Sequence, residues 1–236
     1  MEHWLNRRAW WLVNHWLLVV YFLAGLYVAL PLLAPLFMHY GYIVPAQIIY
    51  RAYRITCHQL PERSHFIFGY QVAICQRDNA IWVAFFLGGL LYGLRRHTLK
   101  ILPPHWWILA LIPIGLDGGT QLVGPLYEVL PNAGLTGFAL LVWLVLTAVM
   151  WFRGVRQWQY YLFVFCFPLG MAYVHLTGPR LSNWQLRTVT GAILGLANAW
   201  FLFPVLEESF LEIQLHLRQK QMPVLPGETG TLSGKF

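Results

Sequence analysis

Long apolar runs alternate with short polar segments along most of the chain. A helix that crosses a bilayer needs about 20 mostly apolar residues. Six runs approach this length, at 16–36, 75–94, 106–122, 135–152, 159–173 and 188–206. The pattern therefore predicts an all-α fold, a polytopic transmembrane bundle of about six spans within residues 1–218. Residues 219–236 are mostly polar and contain Pro, Gly, Ser and Thr, which predicts a disordered tail.

One further apolar segment, residues 43–56, is too short to span. Its apolar and polar positions fall on different helical faces. The apolar positions are Val44, Ile48, Ala52 and Ile55, and the polar positions are Gln47, Arg51 and Arg54. This pattern predicts a short helix that lies in the plane of the membrane interface.

Composition supports the membrane interpretation. The 236 residues are 58% hydrophobic and 11% charged, with a mean hydropathy of +0.54, whereas soluble domains carry roughly 25% charged residues. A chain this apolar cannot cover itself with polar surface in water. The net charge of +7 does not indicate nucleic acid, because basic residues in membrane proteins usually set topology and contact anionic lipid. The expected partners are the bilayer and other membrane proteins.

The basic residues also predict an orientation. With six spans, four basic groups fall on one side, which should be the cytoplasmic side of the cell membrane. The groups are Arg7 and Arg8; Arg95, Arg96 and Lys100; Arg153 and Arg156; and Arg218, Lys220 and Lys235. Both termini are therefore expected in the cytoplasm, with the first span as a retained signal anchor.

Six other arginines would lie on the outer side, where topology does not explain them. They are Arg51, Arg54, Arg63, Arg77, Arg180 and Arg187. Two explanations are open: contact with lipid headgroups, or a polar site into which several of them point.

Three polar clusters, at 57–79, 117–121 and 181–191, would meet at the outer ends of the predicted spans. A polar group inside lipid is costly, so it normally faces the bundle interior and has a partner. Asp117 is the strongest signal, and a nearby arginine is its natural partner because an isolated buried carboxylate would protonate. We expect Asp117 and Arg187 to approach Cys57 and Cys75. The candidate ligand-binding residues are Arg63, Arg77, Asp117, Gln121, Asn183 and Arg187.

Cys57, His58, Cys75 and Asp78 could ligate a metal, with zinc as the candidate cofactor, because thiolate, imidazole and carboxylate all bind zinc. The paired C-x-x-C spacing of many zinc sites is missing. A Cys57–Cys75 disulfide and two free thiols are the open alternatives. Cys166 lies in an apolar run and is expected in the core.

Two patterns have a structural interpretation. Ser182 followed by Gln185 matches a capping box, which would begin the sixth span. Gly89-x-x-x-Gly93 and Gly191-x-x-x-Gly195 are expected to allow close helix packing.

At these clusters the sequence resembles the prokaryotic membrane proteins known as domain of unknown function 2085. The shared motifs are Cys-His-Gln, Pro-Glu-Arg-Ser, Gly-x-Gln, Cys-x-Arg-Cys, Asp-Gly-x-x-Gln and Ser-Asn followed by Arg and Thr-Gly. The matching residues are Cys57 to Gln59, Pro61 to Ser64, Gly69, Gln71, Cys75, Arg77, Asp117, Gly118, Gln121, Ser182, Asn183, Arg187, Thr190 and Gly191. The resemblance covers 57–124 and 181–203 and implies no activity.

The chain departs from the family pattern in two places. The second cysteine of Cys-x-Arg-Cys is Asp78 here, which implies an altered site if the family binds a metal. Residues 135–176 look like an inserted helical hairpin.

Three functions are open from the sequence. The first is a membrane protein whose outward-facing polar pocket binds a metal or a polar, anionic, lipid-linked ligand. The second is a membrane enzyme that acts on such a ligand. The third is a structural subunit of a larger membrane complex.

Overall fold

The computed structural model describes residues 2–96, 98–127, 132–177 and 182–221. The chain forms seven α-helices and one two-stranded hairpin among these residues. They are α1 (Glu2–His39), α2 (Ile43–Tyr53), a 3-10 helix (Pro61–Arg63), β1 (Ser64–Ile67), β2 (Tyr70–Cys75), α3 (Gln76–Leu94), α4 (Pro104–Tyr127), α5 (Asn132–Phe152), α6 (Trp158–Thr177) and α7 (Trp184–Gln221). The predicted helical fold is confirmed, and every predicted span falls on one of the six long helices.

The predicted count of about six spans is not confirmed. Three helices in the described ranges are long and apolar enough to cross a membrane, at Trp10–His39, Trp158–Leu176 and Trp184–Arg218. Helix α3 begins with four polar residues, and α4 carries a polar run from Asp117 to Gln121, so both helices are less apolar. The described apolar part of α5, Thr136–Phe152, is shorter.

The β-hairpin is the element that the sequence did not predict. Its two-residue turn is Phe68-Gly69, with φ of 53° and 79°, and two positive φ values are typical of a type I′ turn. The strands are antiparallel, with Ile67 opposite Tyr70. Three consecutive residues of β2 (Val72, Ala73 and Ile74) are buried. Since β2 is buried on both faces, it lacks the alternation that would have indicated a strand.

Helices α3 and α7 run parallel and form the largest helix contact of the bundle. Arg187 contacts Gln76 at one end, and Glu207 contacts Arg96 at the other. The two contacts lie about 20 residues apart on both chain segments, which corresponds to roughly 30 Å of helix. This length equals the thickness of a bilayer's hydrocarbon core.

Glycines on α7 allow this close approach. A Cβ atom at Gly191 would lie 2.7 Å from the backbone oxygen of Arg77, and one at Gly195 would overlap the backbone oxygen of Ile81. The predicted Gly191-x-x-x-Gly195 contact is confirmed. A Cβ at Gly89 would instead meet the ring of Phe203.

The remaining helices surround the α3–α7 pair. Helix α1 is antiparallel to it, with the Tyr21 hydroxyl donating to the Gly89 carbonyl at 2.6 Å. On the other side, α4 packs on α7, α6 packs on α4, and α5 packs mainly on α6. The 3-10 helix, the hairpin, the starts of α3 and α7 and the Asp117 segment of α4 therefore share one end, here called the polar end.

Helix α2 confirms the short helix predicted within 43–56. Its inner face buries Ala46, Ile49 and Tyr53, while the side chains of Val44 and Ile48 are 69% and 62% exposed. The helix thus presents a second apolar face away from the protein core.

Helix α7 extends further than predicted. It reaches Gln221, so residues 219–221 are helical and not part of a disordered tail. Apolar residues continue at helical spacing in this region, and Phe210 stacks on Trp16 of α1 with ring centroids 5.0 Å apart. The rest of the predicted tail, together with Arg180, lies outside the described residues.

Candidate functional site

Cys57 and Cys75 meet where α2, the hairpin and α3 converge. Cys57 is buried after the end of α2, and its N–H donates to the Tyr53 carbonyl at 2.9 Å. Cys75 ends β2 and is the N-cap of α3. The Cys75 N–H donates to Cys57 Sγ at 3.2 Å, and the Asp78 N–H donates to Cys75 Sγ at 3.5 Å. Both cysteines are free thiols, without a disulfide between them.

Cys57, Cys75 and Asp78 form a potential metal-binding group. One ligand atom from each lies within 4.8 Å of the other two. Zinc binds sulfur at about 2.3 Å and carboxylate oxygen at about 2.0–2.2 Å in a tetrahedral arrangement, so the ligand atoms around one ion lie roughly 3.6–3.8 Å apart. A small adjustment of the three side chains would therefore place them around one ion.

His58, the fourth predicted ligand, is not part of this group. Cys57 is buried whereas His58 is exposed, so the two consecutive side chains face opposite sides of the segment. His58 lines a surface groove instead.

The two thiols differ in acidity because they share a hydrogen bond. The S–H of Cys75 stabilises a thiolate at Cys57 and, with backbone N–H groups, lowers the pKa of Cys57 to about 7 although burial opposes it. The same hydrogen bond, followed by burial, raises the pKa of Cys75. Thiolate is the form that binds metals. Cys57 therefore loses its proton more easily than Cys75 and is the sulfur that is more readily available to a metal.

Asp117 is buried and paired with an arginine, as predicted. Its side chain accepts from Arg77 Nη2 at 2.5 Å and from Ser182 Oγ at 2.9 Å, and the residue is only 3% exposed. Gly118 makes room for the pair, since a Cβ there would lie 2.9 Å from Arg77 Nη1. The sequence singled out Asp117 and Arg77 but not the role of Ser182.

Arg187 ties α7 to the start of α3 and to the 3-10 helix. Its Nη1 donates to the Glu62 carbonyl at 3.0 Å and to Gln76 Oε1 at 3.2 Å, and the residue is 4% exposed. Gln76 in turn donates from Nε2 to the Ser64 carbonyl at 3.2 Å. Sequence reasoning missed Gln76, because a polar residue in a first helical turn is ordinarily solvated.

Arg63, Arg77 and Arg187 form what we call the arginine cluster. The Nε atom of each is buried and has no hydrogen-bond partner among the described residues. The charges of Arg63, Arg77 and Asp117 all act on the Arg187 guanidinium, which places the four groups in one electrostatic environment. The cluster has three guanidinium groups, and in the described part of the chain one carboxylate, Asp117, forms an ion pair with it.

The side chains of Gln121 and Asn183 form hydrogen bonds with the backbones of the helices to which they belong. Gln121 Nε2 donates to the Asp117 carbonyl at 2.6 Å. Asn183 Oδ1 accepts from the Leu186 N–H at 2.8 Å and caps α7. The predicted Ser182–Gln185 capping box is therefore wrong, because Ser182 turns its hydroxyl to Asp117 and its neighbour caps the helix.

A second polar feature, which we call the α2 groove, lies beside α2. It is an open cavity of about 810 Å³, lined by Gln47, Tyr50, Arg51, Arg54, His58, Gln59 and Gln71. The arginines that topology does not explain therefore lie in two separate places. Arg51 and Arg54 line this groove, and Arg63, Arg77 and Arg187 form the arginine cluster.

Comparison with known proteins supports the family resemblance. Residues 57–140 match the family described as a predicted membrane protein, domain of unknown function 2085. The resemblance is confirmed. An uncharacterized protein of Methanocaldococcus jannaschii is 40% identical over 78 residues, which cover 32% of this chain and 50% of that protein. The chain thus spans about half the length of this curated relative. No solved structure matches.

The matched segment contains most of the polar end. Cys57, Cys75, Asp78 and Asp117 lie within it, while Arg187 does not. The segment runs beyond residue 124 into α5, and the other stretch of resemblance, 181–203, lies outside it. The family is described as a predicted membrane protein, which agrees with the apolar helices found here.

Proposed function

We propose that this chain is a multi-pass membrane protein that binds one zinc ion at its polar end. The observation that carries the proposal is the convergence of Cys57, Cys75 and Asp78, whose ligand atoms lie within 4.8 Å of one another. Two thiolates and one carboxylate suit zinc, and three protein ligands would leave a fourth position for water or another ligand.

The hydrogen bonds around the sulfurs support a thiolate site. Each sulfur accepts a backbone N–H, from Cys75 and from Asp78, and such donors favour the charged form of an acceptor. Cys75 also sits at the N-terminus of α3, where the helix dipole favours negative charge. In the resembled family a cysteine stands at the position of Asp78, so this chain keeps a potential ligand there.

Helix directions support the multi-pass path. The α3–α7 contact is long enough for the hydrocarbon core, although α3 starts with polar residues. Those residues lie at the polar end, where the Gln76 and Arg77 side chains contact other polar groups. Gln214 Nε2 of α7 lies 3.3 Å from the Val13 carbonyl of α1, so the first and last long helices have neighbouring ends. We propose that six helices cross and that this shared end is cytoplasmic.

Metal analysis of the full chain in lipid nanodiscs tests the zinc proposal. We expect about one zinc per chain in the wild type and none in Cys57→Ser or Cys75→Ser, since losing a ligand should exceed the roughly 10–100-fold affinity loss caused by removing an outer partner. Asp78→Cys should retain the metal. Cys166→Ser is the matched control, because Cys166 lines an apolar cavity between α4, α5 and α6.

Two results would refute the zinc site. One is a wild-type protein that takes up no zinc when zinc is supplied. The other is equal zinc content in wild type, Cys57→Ser and Cys75→Ser. Thiol labelling with and without chelator gives an independent measurement, because a bound ion should protect both sulfurs.

The arginine cluster favours a second function, the binding of an anionic ligand near the metal. Three buried Nε atoms have no hydrogen-bond partner within the described ranges. They are donors for an anion such as a phosphate group, which arginine binds through several parallel hydrogen bonds. Mass spectrometry of ligands that copurify with wild type and with Arg63→Gln tests this function. Arg63 is less buried than Arg187 and, unlike Arg77, is in no ion pair found among the described residues, so its loss should disturb folding least. Identical anion content in both proteins would refute it.

A further inference from the structure

We propose that the α2 groove is a binding site for the phosphate headgroup of an anionic phospholipid. This site is separate from the zinc site, and its occupant would be a lipid of the surrounding bilayer. The proposal rests on three features: an unpaired basic rim, a fixed polar floor and an apolar flank.

The rim carries positive charge without protein partners. Arg51, Arg54 and His58 line the groove, and all three are exposed. No hydrogen bond or ion pair joins their side chains to another residue in the described part of the chain. Two guanidinium groups facing one cavity attract an anion, and their donors suit the several oxygens of a phosphate.

The floor of the groove is held by a hydrogen-bond network. Gln59 Nε2 donates to the carbonyls of Tyr50 and Ala73 at 2.8 and 2.9 Å. Gln71 Nε2 donates to the Gln59 carbonyl at 2.7 Å, and the Tyr50 hydroxyl donates to the Gln71 carbonyl. These contacts join α2 to β2 across the floor. The arginine backbones are therefore held in place before any ligand arrives, which reduces the entropy cost of binding.

The flank of the groove fits the acyl part of a lipid. Val44 and Ile48 lie on the neighbouring face of α2 and are largely exposed. Ile55 follows in the turn after the helix and is also exposed. A helix with one basic face and one exposed apolar face lies in the membrane interface with its apolar side chains among the lipids. A soluble anion would use the rim but would gain nothing from these side chains, so we assign the groove to a lipid.

Native mass spectrometry of the detergent-solubilised full chain tests the site. Phosphatidic acid is the probe, and phosphatidylcholine, whose headgroup carries a balancing cation, is the reference lipid. We expect one tightly held phosphatidic acid in the wild type. The double variant Arg51→Gln/Arg54→Gln should weaken that binding roughly 30-fold, as expected for two basic contacts near an anionic group.

The loop between α5 and α6 offers a matched control. Arg153→Gln/Arg156→Gln removes the same charge from two exposed arginines outside the groove, and its binding should equal that of the wild type. Equal weakening in both double variants would mean that only net charge matters, and would overturn the proposal. Because Arg51 and Arg54 are exposed, both variants should keep the wild-type unfolding temperature.

A second comparison separates a lipid from a free anion. Ile48→Ser should weaken phosphatidic acid binding but leave competition by inorganic phosphate unchanged. His58→Gln should weaken both. If inorganic phosphate binds the wild type as tightly as phosphatidic acid does, the groove is a site for free anions and the lipid assignment is wrong. If phosphatidylcholine binds equally well, the rim has no role and the proposal fails.

Discussion

The two ends of the α3–α7 contact use arginine in different ways. At one end Arg96 donates from Nε to Glu207 at 2.8 Å, with the two side chains 31% and 12% exposed. The Arg96 guanidinium also lies 6.0 Å from the centroid of the Trp16 ring. Arg96 is thus held by one carboxylate and one aromatic face. The carboxylate and the aromatic face compensate the Arg96 charge at a partly solvated helix end.

The polar end holds three arginines in a more buried setting. Arg77 pairs with Asp117, while Arg187 donates to a carbonyl and an amide oxygen. An Nε atom remains without a described partner on each arginine of the cluster. Burying a charge without full compensation is costly. The contrast between the ends indicates that the polar end was not arranged for stability alone.

The largest effect should follow loss of the buried pair at the polar end. Asp117→Asn leaves the Arg77 charge uncompensated, which should reduce the free energy of unfolding by about 3–5 kcal/mol. Arg77→Met/Asp117→Leu removes both charges and should recover much of that loss. Thermal unfolding in detergent measures both variants. A single variant as stable as the wild type would show that the pair is not buried in this way.

A smaller effect should follow from filling the close contact between α3 and α7, between its two ends. Gly195→Ala places a methyl group against the Ile81 backbone, and such overpacking typically costs about 1–3 kcal/mol. Gly137→Ala is the control, because nothing lies within 4 Å of a Cβ there. The same unfolding measurement applies. Equal stability of the two variants would contradict the close α3–α7 packing.

The pair at the opposite end should contribute less. Glu207→Gln removes a partner from a side chain that is partly solvated, so we expect a loss of about 1 kcal/mol or less. The comparison between ends therefore predicts a clear difference between Asp117→Asn and Glu207→Gln in one experiment. If Glu207→Gln lowered the free energy of unfolding more than Asp117→Asn, the buried pair at the polar end would not be the more important of the two.

The smallest effect concerns reactivity and not stability. In the metal-free protein the lowered pKa of Cys57, about 7, means that its thiolate replaces the thiol as the pH rises through 7. Labelling of Cys57 by a maleimide, read by peptide mass spectrometry, should accelerate over that range. Cys75, whose pKa is raised, should react only above the ordinary thiol pKa of 9.0. Identical pH profiles would show that the two thiols do not share a hydrogen bond.

Part of the polar end was predictable from the sequence. Asp117 stood out because a carboxylate in an apolar run needs a partner, and an arginine was the expected partner, although the sequence did not specify Arg77. The pairing of Cys57 with Cys75 was also expected, although metal, disulfide and free thiols stayed open. His58 was predicted as a fourth ligand but lies outside the group of Cys57, Cys75 and Asp78, because adjacency in sequence does not fix the direction of a side chain in an irregular segment.

The sequence by itself determined the helices, the membrane character and the polar residues that required partners, since apolar run length and the cost of burying charge are properties of local sequence. Only the tertiary structure decided which partners they found. The turn at Phe68-Gly69 returns β2 beside Cys57, and the close approach at Gly191 brings Arg187 to Gln76. The second of these contacts joins residues 111 positions apart, and the choice of partner depends on helix packing, which no local pattern specifies.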